Sequence, residues 1–260
     1  MILAGNRTNR FAPEDLPLKV AAPYEGAAAV RLSVGDASAT IAVVDGFATI
    51  PAETMAEFFP DLGRYEMHME TADVYGRCYA VERVAARYTD RARIVAYGAA
   101  NNDRFDDVTR YPEQMVAAAI QRAEETIERA TARSFTTRRR VVDLWPRRVN
   151  ELPVEDVTAC ESGDADLEVV NGRQVLGVTE HIKANVTYGA ACDASIEAAA
   201  TQLAAWFLRP KAQAENARGT SMDGVYISYD LATGAEGSWT GLPTVDAAIE
   251  QHKSRRVIVG

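Results

Sequence analysis

The sequence predicts an α+β protein whose two halves differ in kind. Residues 17–84 are a succession of short β-prone runs broken by Gly and Asp turns. Residues 112–131 and 194–209 instead carry small and apolar side chains at helical spacing. Between those two helices the chain turns β-prone again, with the turn signals of a meander. A length of 260 residues allows one large domain or two ordinary ones. The expected division is an all-β domain over 1–95, a connecting region over 96–110, and a domain with a helical core and a β-meander over 111–260.

In the first half, runs at 28–34 and 38–44 are separated by Gly35-Asp36-Ala37, and Asp45-Gly46 leads into 47–50. Asp-Gly between apolar runs is a strong hairpin signal. Tyr65, Met67 and Met69 alternate with Glu66, His68 and Glu70, so one face of that strand is buried and one is wet. After Thr71-Ala72-Asp73 a further strand is expected at 74–84. Residues 85–110 read as a polar connection, with Asn101-Asn102-Asp103-Arg104-Phe105-Asp106-Asp107 exposed.

In the second half, Pro112 suits the first turn of a helix. Val116, Ala119, Ile120, Ala123, Ile127 and Ala130 form its apolar stripe, with Glu124 and Glu128 expected on the opposite side and Glu125 paired with Arg129 at i, i+4. Strands are expected at 138–145, 154–160, 167–170, 174–178 and 182–188, with Asn171-Gly172 as a hairpin turn. Asp193 is a good N-cap for the next helix. The stripe of that helix is Ile196, Ala199, Ala200, Leu203 and Phe207, and Pro210 is expected to end it. Residues 211–240 read as a long loop with an embedded strand at 225–229. Thr244 is expected to cap a short last helix with the stripe Val245, Ala248, Ile249 and His252, before a tail at 255–260.

Composition narrows the function. Apolar residues are 47% and charged residues 25%, ordinary globular usage. No run approaches the roughly 18 apolar residues of a membrane span, and the N-terminus lacks a secretory pattern. Cys78, Cys160 and Cys192 are odd in number and far apart, which argues against a disulfide scaffold or a zinc–cysteine site. The reading is a reducing, cytoplasmic setting without membrane contact. The net charge of −9 makes the chain a poor candidate for gripping nucleic acid by phosphate neutralisation.

No phosphate loop, dinucleotide fingerprint, metalloprotease helix or nucleophile elbow is present. His68 is expected on a wet strand face, His252 at a helix C-terminus in a packing or capping role, and His181 beside Glu180 without a nearby nucleophile. Asp164, Asp166 and Glu168 have a spacing that can hold calcium from a loop, yet lack the full pattern, so a solvated acidic hairpin is the better reading. No catalytic residue, cofactor or metal is expected. Arg138, Arg139, Arg140, Arg147 and Arg148 flank a segment containing Trp145. They read as a solvated strand around one buried tryptophan or as a contact for an acidic partner surface, with direct nucleic-acid binding the lesser reading because the chain is acidic.

Two stretches of the chain resemble known families. Asp61-Leu62-Gly63-Arg64-Tyr65 resembles the tyrosine corner that opens strand F of immunoglobulin-like sandwiches, with Met67 where the disulfide cysteine of antibody modules stands. The second half resembles the head–tail connector (head-completion adaptor) proteins of tailed bacteriophages. The likeness rests on the helix from Pro112 towards Phe135, Leu152-Pro153 after the first strand, the strand at 182–189 ending in Tyr-Gly, and Leu203-Ala204-Ala205-Trp206 in the second core helix. The turn Thr240-Gly241-Leu242-Pro243-Thr244 before the last helix completes it.

That resemblance implies a non-enzymatic structural protein of the virion neck, assembled in the host cytoplasm. It implies a homo-oligomeric ring of about twelve copies, docked between the portal protein and a tail or head-closure protein, with DNA passing the bore without specific binding. A head-to-tail ring needs two different complementary surfaces. The candidates are Glu124, Glu125 and Glu128 against Arg138, Arg139, Arg140, Arg147 and Arg148. The alternative is a two-domain adhesin whose β-sandwich binds a ligand, for which Tyr75 and Tyr79 are the available aromatics.

Overall fold

A computed structural model describes residues 2–3, 8–22, 26–71, 74–163, 165–209, 219–222, 225–228 and 239–253. The protein is α+β, and it forms two compact units, each drawn from two stretches of chain. One comprises Met1–Arg87 and Ala132–Cys192; the other comprises Tyr88–Thr131 and Asp193–Gly260.

The first unit begins with β1 (Ile2–Leu3), β2 (Asn9–Phe11), β3 (Leu18–Ala21), β4 (Ala29–Val34), β5 (Ala37–Val44), β6 (Phe47–Ile50), the short helix α1 (Ala52–Phe58), β7 (Gly63–Thr71) and β8 (Val74–Arg83). These strands form one eight-stranded sheet in the order β1-β3-β6-β5-β4-β7-β8-β2. Its alternation is the one the sequence calls for. Val30, Leu32, Met67, Met69, Tyr79 and Val81 are buried, while Glu66, His68, Glu70, Cys78 and Ala80 between them face solvent. The expected tyrosine corner closes: the Tyr65 hydroxyl donates to the Asp61 carbonyl at 2.9 Å and accepts the Asp61 N–H at 3.2 Å.

The β7–β8 ladder contains a bulge. Thr71 pairs with Val74, but Met69 pairs with Arg77, so the register shifts by one residue between them. Gly76 makes this possible. A Cβ there would lie 1.2 Å from the Met69 carbonyl oxygen, so the close approach of the two backbones tolerates no side chain.

The same unit continues with β9 (Arg138–Leu144), β10 (Arg147–Glu151), β11 (Val157–Ser162), β12 (Ala165–Asp166), β13 (Val169–Val170), β14 (Gln174–Val178) and β15 (Ile182–Tyr188). They make a four-stranded sheet, β12-β11-β15-β9, and a three-stranded one, β10-β14-β13. Val142, Leu144, Leu152, Val175, Ala184, Val186 and Tyr188 form their shared core.

A buried ionic cluster ties the two parts of this unit together. Arg138 donates to Glu82 from Nε at 3.0 Å and from Nη2 at 2.7 Å, and the Arg10 Nε reaches the same carboxylate at 3.3 Å. Burial alone would raise the Glu82 pKa; the charge and hydrogen bonds of Arg138, with help from Arg10 and Arg64, outweigh it and hold the group below its ordinary value.

The second unit holds α2 (Arg91–Ala100), α3 (Glu113–Thr131), α4 (Ala194–Leu208), the hairpin β16 (Gly219–Met222) and β17 (Val225–Ser228), and α5 (Pro243–His252). Helix α4 packs against α2, α3 and α5. Its core is made of the predicted stripes: Val116, Ala123 and Ile127 of α3, Ile196, Ala200 and Leu203 of α4, Val245 and Ile249 of α5. The Asp193 carboxylate caps α4 by accepting the N–H groups of Ser195 and Ile196.

Three local expectations are corrected. The polar connection contains helix α2, capped by Asp90, whose carboxylate accepts the Arg93 N–H at 2.8 Å. Helix α5 has Leu242 rather than Thr244 at its N-cap, because Pro243 already occupies the first helical turn. The embedded strand near 225–229 is one arm of a hairpin whose other arm is β16. Pro210, Asp164 and the tail at 255–260 lie outside the described residues. Among the described residues no helix is long and apolar enough to cross a membrane.

Candidate functional site

The arginine run does not act as one patch, because its members are buried to different degrees. Arg138 points inward and is 5% exposed, spent on Glu82. Arg139 is half-buried and pairs with Glu161 at 3.0 Å and Asp61 at 3.9 Å. Arg140, Arg147 and Arg148 are exposed. Arg138 therefore leaves the set of candidate contact residues, since its charge is already neutralised inside its own unit.

Trp145 is exposed at 55%, which corrects the expectation of a buried tryptophan. Its ring stacks on His181 with centroids 4.2 Å apart, and the His181 Nε2 lies 3.2 Å from an Asp143 carboxylate oxygen. Val141 and Val149 are exposed as well, and Arg140, Arg147 and Arg148 flank Trp145 along the chain. Arg64, Arg139, Arg140, Val141, Tyr65, Asn185 and Tyr188 line part of an open cleft of about 500 Å³.

The acidic residues of α3 divide in the same way. Glu124 is 2% exposed, and its carboxylate accepts the Tyr88 N–H at 3.1 Å. Glu128 accepts the Tyr88 hydroxyl at 2.8 Å. Both carboxylates support the backbone and ring that lead into α2, so they do not lie on a free polar face as expected. Glu125 is exposed and accepts from Gln121 Nε2 at 2.7 Å.

The remaining candidates find structural roles. His252 sits beside the α4 cap, with Nε2 2.9 Å from the Ser195 hydroxyl and 3.1 Å from the Asp193 carboxylate. Hydrogen bonds from the Ile196 backbone and the Ser195 side chain lead in holding the Asp193 pKa below its ordinary value, and the charge of His252 adds to them. Tyr79 is buried at 1% exposure, so it offers nothing to an adhesin cleft. None of the three cysteines forms a disulfide. His68 is exposed as expected, but it is not isolated: Glu66, His68 and Cys78 present ligand atoms within 4.8 Å of one another. Reading each residue separately in the sequence missed this group.

No family model matches the chain, and no curated protein matches it. Among solved structures it is similar to a chain in the neck of an empty GTA particle computed with C6 symmetry. That match has 19% identity over 56% of this chain and 80% of the other, at a TM-score of 0.35. It is similar to a chain in the neck of a native GTA particle computed with C12 symmetry, at 17% identity over 65% and 92%, with a TM-score of 0.37. A third match is to a chain in the virion of a native gene transfer agent (GTA) particle, at 18% identity over 57% and 81%, with a TM-score of 0.37.

Proposed function

We propose that the chain is a structural neck protein of a tailed-phage-like particle, a head–tail connector subunit. Copies associate head to tail into a ring of about twelve, seated between portal and tail, and DNA passes through the bore. The observation that supports this is the order of elements after residue 111. A long helix (α3) is followed by a meander (β9 to β15), whose last strand ends at Tyr188-Gly189. A small-residue helix (α4) and a short helix opened by Leu242-Pro243 (α5) complete the order. This is the order that the connector resemblance calls for. The net charge of −9 suits a channel that DNA must traverse without sticking.

In this reading residues 111–260 carry the connector function and residues 1–95 add an immunoglobulin-like β layer. The strand order supports the second part. β8, β7 and β4 stand side by side as strands G, F and C do, β3 pairs with β6 as B does with E, and Tyr65 closes the corner that opens the F-like strand.

The subunit contact is assigned to Arg140, Arg147 and Arg148, with Trp145 and Val149 as apolar centre, meeting an acidic surface that includes Glu125 on the neighbouring copy. The double variant Arg147→Glu/Arg148→Glu should lose higher-order assembly in sedimentation, and adding Glu125→Arg should restore part of it. Unchanged assembly in the double variant would overturn the assigned contact.

A further inference from the structure

The pleat of the β7–β8 hairpin places three metal-ligating side chains on one wet face. Met67 and Met69 point into the core of the eight-stranded sheet and are fully buried, so Glu66 and His68 point out. On β8, Tyr79 and Val81 point in, so Cys78 and Ala80 point out. The register sets His68 directly opposite Cys78 and Glu66 opposite Ala80. Glu66 is thus diagonal to Cys78 and two residues from His68, and all three ligand atoms fall within 4.8 Å of one another.

We propose that Glu66, His68 and Cys78 form a binding site for a borderline-soft divalent transition metal, of which Zn²⁺ is the type. A thiolate, an imidazole and a carboxylate are a zinc ligand set, whereas calcium and magnesium take oxygen donors. The bond lengths of such a site, about 2.0–2.3 Å, place tetrahedral ligand atoms about 3.3–3.8 Å apart. The exposed side chains reach that spacing by small rotamer adjustments from paired strands that hold their Cα atoms fixed. Ala80, the fourth corner of the rectangle, is small and leaves one coordination position to water or to a further ligand. The bulge held open by Gly76 is what brings Cys78 to this face.

The test uses the full chain, reduced and stripped with a chelator, then titrated with Co²⁺ and competed with Zn²⁺. The expected result is one Co²⁺ per chain, with thiolate-to-cobalt absorption in the near ultraviolet and the intense visible bands of four-coordination, both erased by zinc. Cys78→Ser should abolish the near-ultraviolet band, and His68→Gln should weaken binding by about tenfold or more. Both residues are exposed on strands, so far-ultraviolet circular dichroism should show the fold intact. Absence of a thiolate band in the native chain, or a band that persists in Cys78→Ser and so belongs to Cys160 or Cys192, would overturn the site.

Discussion

Replacing Glu82 by alanine should be among the most damaging single changes in the protein. The Glu82 side chain is 3% exposed, and it neutralises Arg138, whose side chain is 6% exposed, and Arg10, at 9%. Three guanidinium N–H groups of these two residues aim at it. Arg64 approaches at 3.6 Å but is 67% exposed, so water already serves it. The variant therefore takes the carboxylate away from two buried cations rather than from a surface pair, which would be worth at most about 1 kcal/mol. Breaking a buried pair from one side costs about 3–5 kcal/mol, a large part of the 5–15 kcal/mol that holds a typical domain together. The assay is urea denaturation followed by circular dichroism and by tryptophan fluorescence, with Glu82→Gln as the variant that keeps an acceptor but loses the charge. Alanine should lose about 3–5 kcal/mol and glutamine less. A loss below about 1 kcal/mol for alanine would refute the reasoning, since it would mean that water reaches the cluster. The pH dependence has a fixed sign. The folded-state pKa of Glu82 lies below the ordinary value of 4.5. Its contribution is therefore complete above that value and disappears as pH falls through the lower folded pKa. Native protein should lose stability with acid over that window, and Glu82→Gln should lose less.

Other perturbations follow from the same geometry. Gly189→Ala would bring a Cβ to 2.1 Å from the Thr136 carbonyl oxygen at a φ of +125°; it should cost more than about 2 kcal/mol, read from the shift in denaturation midpoint. Tyr65→Phe removes both hydrogen bonds to Asp61 and should cost about 1 kcal/mol, measured in the same way. Asp193→Ala removes the α4 cap and should cost about 1 kcal/mol. Because the Asp193 carboxyl is held low, that loss should be full at neutral pH and shrink as pH falls through its folded pKa.

The sequence was most informative where a buried face repeats. The alternation through Tyr65–Met69 and the stripe Val116–Ala130 each specify an element, because every core-facing residue reports the same period. Helix α2 was missed for the opposite reason: it buries only Ile94 and Gly98 along its length, too thin a stripe to read. Glu124 and Arg138 were misplaced because each satisfies its charge with a partner distant in sequence, Glu124 with the backbone of Tyr88 and Arg138 with Glu82. No local pattern records such a pairing. The group at Glu66, His68 and Cys78 was hidden by one residue of register. A regular hairpin that pairs Thr71 with Val74 would set His68 opposite Arg77 and leave Cys78 on the core side. Only the bulge at Gly76 moves Cys78 across from His68.

The most direct test of the proposed function is the mass of the purified full chain, by mass photometry, joined to negative-stain class averages of any large species. The account predicts a closed ring of about twelve copies with an open bore. A chain that stays monomeric at high concentration, and also when mixed with an assembled portal of its own particle, would contradict it.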